Sequence, residues 1–255
     1  MVGCRRVSAG CEHCYAERMA RRLAAMGRPE YQGLLTNDGR WNGTVRCLPE
    51  RLSIPAHWKK PRRIFVDSMS DLFHEDVPLD FIQKVFDIMS CANLHTFQIL
   101  SKRAERLLEL DPLIDWPQNV WMGVSVENKD YISRIDMLRQ THAAVKFLSC
   151  EPLIGPLTNL HLEGIDWIIV GGESGPKARP MHPNWVRSLR DQCLRTGITF
   201  YFKQWGEWYP SPLQGSEADY DRYSYDPKTD TIRIGKKLAG RILDCRKWDQ
   251  YPEVR

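Results

Sequence analysis

The strongest constraint on the fold is a recurring unit: a short apolar run, a polar ending, then an amphipathic helix. Ile64-Phe65-Val66 reads as a buried strand and runs into Asp67-Ser68-Met69-Ser70-Asp71. Asp80 then precedes a helix whose Ile82, Val85, Phe86 and Met89 share one face. Residues 96–100 form the next apolar run and end in Ser101-Lys102-Arg103; residues 120–124 end in Ser125-Val126-Glu127. Residues 145–148 end in Ser149-Cys150-Glu151-Pro152, and residues 167–170 in Gly171-Gly172-Glu173-Ser174-Gly175. Asn184 is a candidate cap for a helix with Trp185, Val186, Leu189 and Cys193 inward. Residues 198–202 close the series and end in Lys203-Gln204-Trp205-Gly206.

Short strands alternating with helices specify a parallel sheet with right-handed crossovers. Six to seven such units predict an α/β chain, a partial or near-complete (β/α) barrel over residues 1–208. Residues 209–255 differ in texture. Tyr209, Tyr220, Tyr223, Tyr225 and Tyr251 recur among Pro, Gly and Asp, and Asp226-Pro227-Lys228 before residues 231–234 reads as a hairpin. This is expected to be a C-terminal extension packed on the barrel.

In such barrels reacting residues sit just past the C-terminal ends of the strands. Here those positions hold Asp67, Asp71, Lys102, Glu127, Glu151, Glu173, Lys203 and Gln204, which predicts a polar, lined cavity. A hydrophobic fraction of 42% with 9 Trp, 9 Tyr and 8 Phe excludes a disordered chain. No apolar run approaches the roughly 18–20 residues of a membrane span, and no secretory signal opens the sequence, so the expected setting is cytoplasmic with no membrane partner. Charge is uneven. Residues 1–63 carry 13 basic and 5 acidic side chains, the remainder 23 and 27, so the basic front is a candidate surface for phosphates and nucleic acid.

Eight cysteines without an export signal point to thiols and metal ligation rather than a disulfide framework. Three of them, Cys4, Cys11 and Cys14, form C-x6-C-x2-C on a loop that runs into a helix. That helix is expected from Tyr15 to Met26, with Tyr15, Met19, Leu23 and Met26 on one stripe. Three thiolates on a tight loop can hold three irons of a [4Fe–4S] cluster and leave the fourth open. A zinc site would need a further ligand such as His13, Cys47 or His57. A redox pair of Cys11 and Cys14 would leave Cys4 without a role. Cys150 ends a strand beside Glu151, near the expected cavity.

The front end, from Gly3-Cys4 through Val7-Ser8-Ala9-Gly10-Cys11 to Cys14-Tyr15-Ala16-Glu17, resembles the phage-associated three-cysteine-motif proteins, relatives of radical S-adenosylmethionine (SAM) enzymes. The likeness extends through Met69-Ser70-Asp71-Leu72-Phe73-His74, Leu100-Ser101-Lys102-Arg103, Gly123-Val124-Ser125-Val126-Glu127, Ser149-Cys150-Glu151-Pro152-Leu153, Gly171-Gly172-Glu173 and Phe202-Lys203-Gln204-Trp205-Gly206. The resemblance implies a cluster on Cys4, Cys11 and Cys14, with SAM chelated at the open iron and cleaved to a 5′-deoxyadenosyl radical. It implies that Asp67, Ser70 and Asp71 meet the amino group of SAM, and that Ser125 and Glu127 hold its ribose and carboxylate. Glu173 is then expected in the cavity, with Cys150 or Tyr201 as hydrogen-atom donor to a product radical.

Two departures stand out. The superfamily's usual spacing is C-x3-C-x2-C with an aromatic before the last cysteine; here the first gap is six and His13 takes that place. A strand with a Trp-Asn-Pro segment generally precedes the first cysteine in the family, where this sequence has Met1-Val2-Gly3. On this reading the first candidate substrate is nucleic acid, modified or repaired, and a small-molecule or protein substrate stays open. The alternative expectation is a non-catalytic iron–sulfur or zinc module that docks on nucleic acid with a partner protein, through Arg5, Arg6, Arg18, Arg21, Arg22, Arg62 and Arg63.

Overall fold

The structure, a computed structural model, describes residues 1–211 and 224–253. Tyr220 and Tyr223 of the tyrosine-rich extension lie outside the described residues. Six strands form one sheet: β1 (Arg63–Phe65), β2 (Thr96–Ser101), β3 (Val120–Ser125), β4 (Val145–Cys150), β5 (Trp167–Gly171) and β6 (Thr199–Gln204). Each lies beside its neighbour in sequence, and the pairs are parallel, with Phe65 opposite Gln98, Leu100 opposite Gly123 and Val170 opposite Phe202. This is an α/β fold with the strand order of a partial (β/α) barrel. The expected six to seven strands resolve to six in this sheet among the described residues.

Two compact units make up the chain. One is Met1–Ser125 with Ser133–Phe147, the other Val126–Ile132 with Leu148–Arg255. In the first, α1 (Tyr15–Ala25) opens the chain, and α2 (Leu79–Cys91) buries Phe81, Ile82, Val85, Phe86 and Met89 on one face. Burying such side chains stabilises by about 1.5–3 kcal/mol each. Helices α3 (Ala104–Leu110) and α4 (Ser133–Arg139) complete its helical layer. β3 is buried along its whole length. Gly123 is required there, since a Cβ would sit 2.3 Å from the Phe147 ring.

β1 departs from expectation. It is not a buried strand: Arg63 and Phe65 are exposed, and Phe65 is 47% accessible. The stripe on α1 is corrected as well. Tyr15, Met19 and Met26 face outward at 54%, 42% and 63%, while Ala16, Glu17 and Ala20 are buried. Small residues let this helix approach Val2, Tyr31, Leu34 and Trp41 closely, and that contact decides the inward face.

In the second unit α5 (Pro183–Thr196) buries Val186, Leu189, Gln192 and Cys193. Its cap is the His182 ring, which accepts from the Asn184 N–H, so Asn184 does not serve as expected. The extension forms a small antiparallel sheet of β7 (Trp208–Pro210), β8 (Tyr225–Asp226) and β9 (Thr231–Arg233) in the order β7-β9-β8, followed by α6 (Lys236–Ala239). Its later residues cover the outer edge of β6: the Phe202 N–H donates to the Trp248 carbonyl at 2.8 Å, and Tyr201 bridges Asp249. Covering an edge in this way blocks pairing with other chains.

Candidate functional site

The cysteine loop of the first unit is built from local geometry. Gly3 has φ +94°, and a Cβ there would meet the Thr44 carbonyl oxygen at 2.1 Å, so only glycine fits. Its N–H donates to the Met69 carbonyl at 3.0 Å, which ties Cys4 to the loop after β1. Tyr15 reaches the same loop, its hydroxyl donating to the Ser68 carbonyl at 2.7 Å. Between the cysteines Arg6 turns inward, and its guanidinium donates to both oxygens of Glu17 at 2.8 and 2.5 Å. Glu17 also accepts from the Trp41 N–H at 3.0 Å, so this buried carboxylate is paired and hydrogen-bonded.

Arg103 braces the other side. Its guanidinium donates to Asp71 at 3.0 Å, Glu75 at 3.0 Å and the Arg5 carbonyl at 3.3 Å, and its charge lies near the Cys4 thiol. The Cys11 sulfur lies within electrostatic reach of both Cys4 and Cys14. Burial pushes the Cys4 thiol up to about 12, Asp71 adding to the rise and Arg103 opposing it. Burial raises the Cys14 thiol too, opposed by the nearby Ala16 and Glu17 N–H groups at the start of α1. The loop therefore offers three sulfurs beside a guanidinium and a helix N-terminus, both of which favour anionic thiolates. Among the described residues no three His, Cys, Asp or Glu side chains converge as a single metal ion requires. His57, a candidate fourth zinc ligand, instead hydrogen-bonds the Ser53 carbonyl ahead of β1.

The other anticipated site residues divide. Asp71 is not open to an incoming amine. Its four acceptor positions are filled by the Phe73 and Lys102 N–H groups, the Ser101 hydroxyl and Arg103, at 2.8–3.1 Å. It joins the loops after β1 and β2. Asp67, at φ +54°, accepts from the Leu72 N–H through Oδ2, while Oδ1 is sealed from solvent without a partner. Burial and then the charge of Asp71 hold its carboxyl well above the usual range. Asp67 lines a cavity of about 260 Å³ with Tyr31, Ser68, Met69, Leu72 and Phe81. The Ser70 hydroxyl reaches the Met1 carbonyl at 3.5 Å. Ser125 is fully buried and its Oγ has no partner among the described residues.

Glu127, Cys150, Glu173 and Tyr201 belong to the second unit. Glu127 is fully buried, and its carbonyl accepts from the Ile154 N–H. The expected cavity role of Cys150 is corrected. Strand alternation turns it away from Ser149, whose hydroxyl donates to Glu151, and its buried thiol lies within reach of Cys193 on α5. Burial pushes both thiols up, that of Cys193 to about 12. Glu173 does not present its carboxylate to a ligand as expected. Arg179 donates to it through its backbone N–H and its guanidinium at 2.7–2.9 Å. The Tyr201 ring packs edge-on against Trp167 and Tyr251 under the Arg241 guanidinium. Gly172 and Gly206 let this loop close, since a Cβ on Gly172 would lie 1.8 Å from the Trp205 carbonyl oxygen.

The residues that sequence reasoning missed are Arg6, Glu17, Glu75 and Arg103. The C-x6-C-x2-C-Tyr-Ala-Glu run already held Glu17, and an acid one turn into a helix opposite a loop arginine was the available signal. No curated protein and no solved structure matches the chain. A family model described as "Protein of unknown function (DUF5131)" matches residues 1–252, and the chain belongs to that family.

Proposed function

We propose that Cys4, Cys11 and Cys14 hold a [4Fe–4S] cluster with an open iron for SAM, and that the protein is a radical SAM-type enzyme. The observation that carries this reading is the gathering of the three sulfurs on one braced loop, with Cys11 in electrostatic reach of the other two. A cluster several ångströms across holds its cysteines wider apart than a single ion does, in keeping with three sulfurs that do not converge on one point. When bound and reduced, such a cluster supplies the electron that breaks a carbon–sulfur bond of SAM.

The chain's own residues have distinct tasks on this reading. Arg103 and the N–H groups of Ala16 and Glu17 offset negative charge at Cys4 and Cys14. The Arg6–Glu17 pair fixes the loop on α1, and Gly3 fixes it on the loop after β1. Cys4, Cys11 and Cys14 are half-buried, so the loop leaves one side of the sulfurs open to a ligand. Asp71 is spent on Arg103, which leaves it as a brace of the cysteine loop and not as a ligand for an incoming amine.

Anaerobic reconstitution with iron and sulfide tests the reading. About four irons per chain are expected, falling to background in each of Cys4→Ala, Cys11→Ala and Cys14→Ala. Dithionite and SAM should then yield 5′-deoxyadenosine. Unchanged iron in the three variants would overturn the cluster, and a loaded protein that makes no 5′-deoxyadenosine would overturn the enzyme.

A further inference from the structure

The positive charge of residues 1–63 is not one surface. Near the cysteines much of it is spent: Arg5 pairs with Glu75 and Arg6 with Glu17, and farther along Arg40 pairs with Asp38 and Arg51 with Glu30. Lys59, Lys60 and Arg62 are different. All three are exposed, and among the described residues none of them is in an ion pair. From Arg51 to Val66 the chain carries five Lys or Arg and no acidic residue. This run precedes β1, whereas the cysteine loop binds the segment that follows β1, so the two lie at opposite ends of that strand.

The basic run is also held in place. His95, buried just before β2, contacts the Pro55 carbonyl through Nε2 at 3.0 Å, and the Arg62 carbonyl accepts from the Thr96 N–H at 2.9 Å. The Trp58 ring stands edge-on to His95, and the Arg62 guanidinium lies over it at 4.5 Å. Arg63 and Phe65 are exposed on the other face of β1, since successive strand residues alternate from Arg62 onward. A flat guanidinium on an indole and unpaired ammonium groups are what a single-stranded nucleic acid needs: a stacking surface for bases and cations for phosphates.

We propose that Trp58, Lys59, Lys60 and Arg62 form a docking surface for single-stranded nucleic acid, away from the cysteine loop. An acidic peptide would use the cations and leave the aromatic face idle. The surface is independent of cluster chemistry, so it stands whether or not the proposed activity does.

Fluorescence anisotropy of the full-length chain with a labelled 20-nucleotide mixed-sequence strand tests it, across a salt series. Lys59→Gln/Lys60→Gln/Arg62→Gln should weaken binding at least tenfold and lower the salt slope by about two units, at roughly 0.7 per phosphate contact. Trp58→Ala should weaken binding severalfold with the slope nearly unchanged, and Phe65→Ala, on the other face of β1, should bind as the parent does. Cys4→Ala/Cys11→Ala/Cys14→Ala should bind as the parent does, which separates this surface from the cluster. The proposal is overturned by unchanged affinity in the triple glutamine variant, by equal loss in Arg18→Gln/Arg22→Gln, or by tighter binding to phosphatidylserine vesicles than to the strand.

Discussion

After β1, the Asp71 carboxylate takes hydrogen bonds from four residues; after β5, the Glu173 carboxylate is held by the backbone N–H and guanidinium of Arg179. Both are buried acids at the polar end of a parallel strand, and each is neutralised by an arginine. They differ in what the arginine does next. Arg103 continues to Glu75 and to the Arg5 carbonyl next to Cys4, so the first pair links two loops to the cysteine loop. Arg179 folds back six residues and closes a single loop. A polar strand end is therefore no sign of a ligand site by itself; what matters is whether the charge is passed on to another group.

The comparison is sharpest under mutation. Arg103→Ala strands a buried carboxylate, and the expected cost is about 3–5 kcal/mol in urea unfolding, with loss of iron retention after reconstitution. If iron is retained, the first pair is only a loop clasp like the second. Gly172→Ala drives a Cβ into the Trp205 carbonyl, and about 3 kcal/mol is expected from overpacking. Arg179→Ala should cost about 2 kcal/mol, because Arg179 is partly solvated. Iron retention should then match the parent; a drop would show that the second loop also supports the site.

The smallest effect is a change of slope. Burial raises the Asp67 carboxyl above the roughly 3.9 of an unfolded aspartate, so the native state keeps its proton to higher pH. This group's contribution is full below about pH 4 and is lost as pH rises toward its folded value. Asp67→Asn should flatten that fall and raise stability near neutrality, read from unfolding midpoints between pH 4 and 8. Asp71, whose acceptors are all filled in the native state, should show no such gain when changed to Asn.

All six parallel strands were legible because runs such as 120–124 and 167–170 are apolar with abrupt polar ends, although β1 is exposed where a buried strand was expected. Their ends were drawn short, since Ser101, Ser125 and Cys150 still pair as strand residues although they look like loop. The face of α1 was misjudged because hydrophobic size favoured Tyr15, Met19 and Met26, whereas close approach favoured Ala16 and Ala20. The nearness of the three cysteines followed from spacing. The pairing of Arg103 with Asp71 could not, because a contact across 32 residues leaves no local pattern.

The cover on β6 has a consequence for synthesis. Trp248 and Asp249 follow the end of that strand at Gln204 by some forty residues. At roughly 5–20 residues per second, the ribosome leaves the edge beside Phe200, Tyr201 and Phe202 without its cover for several seconds. The interval is a window for misassociation that purified, finished protein never revisits. Slower translation of residues 205–248 should therefore lower soluble yield without changing the stability of the molecules that escape.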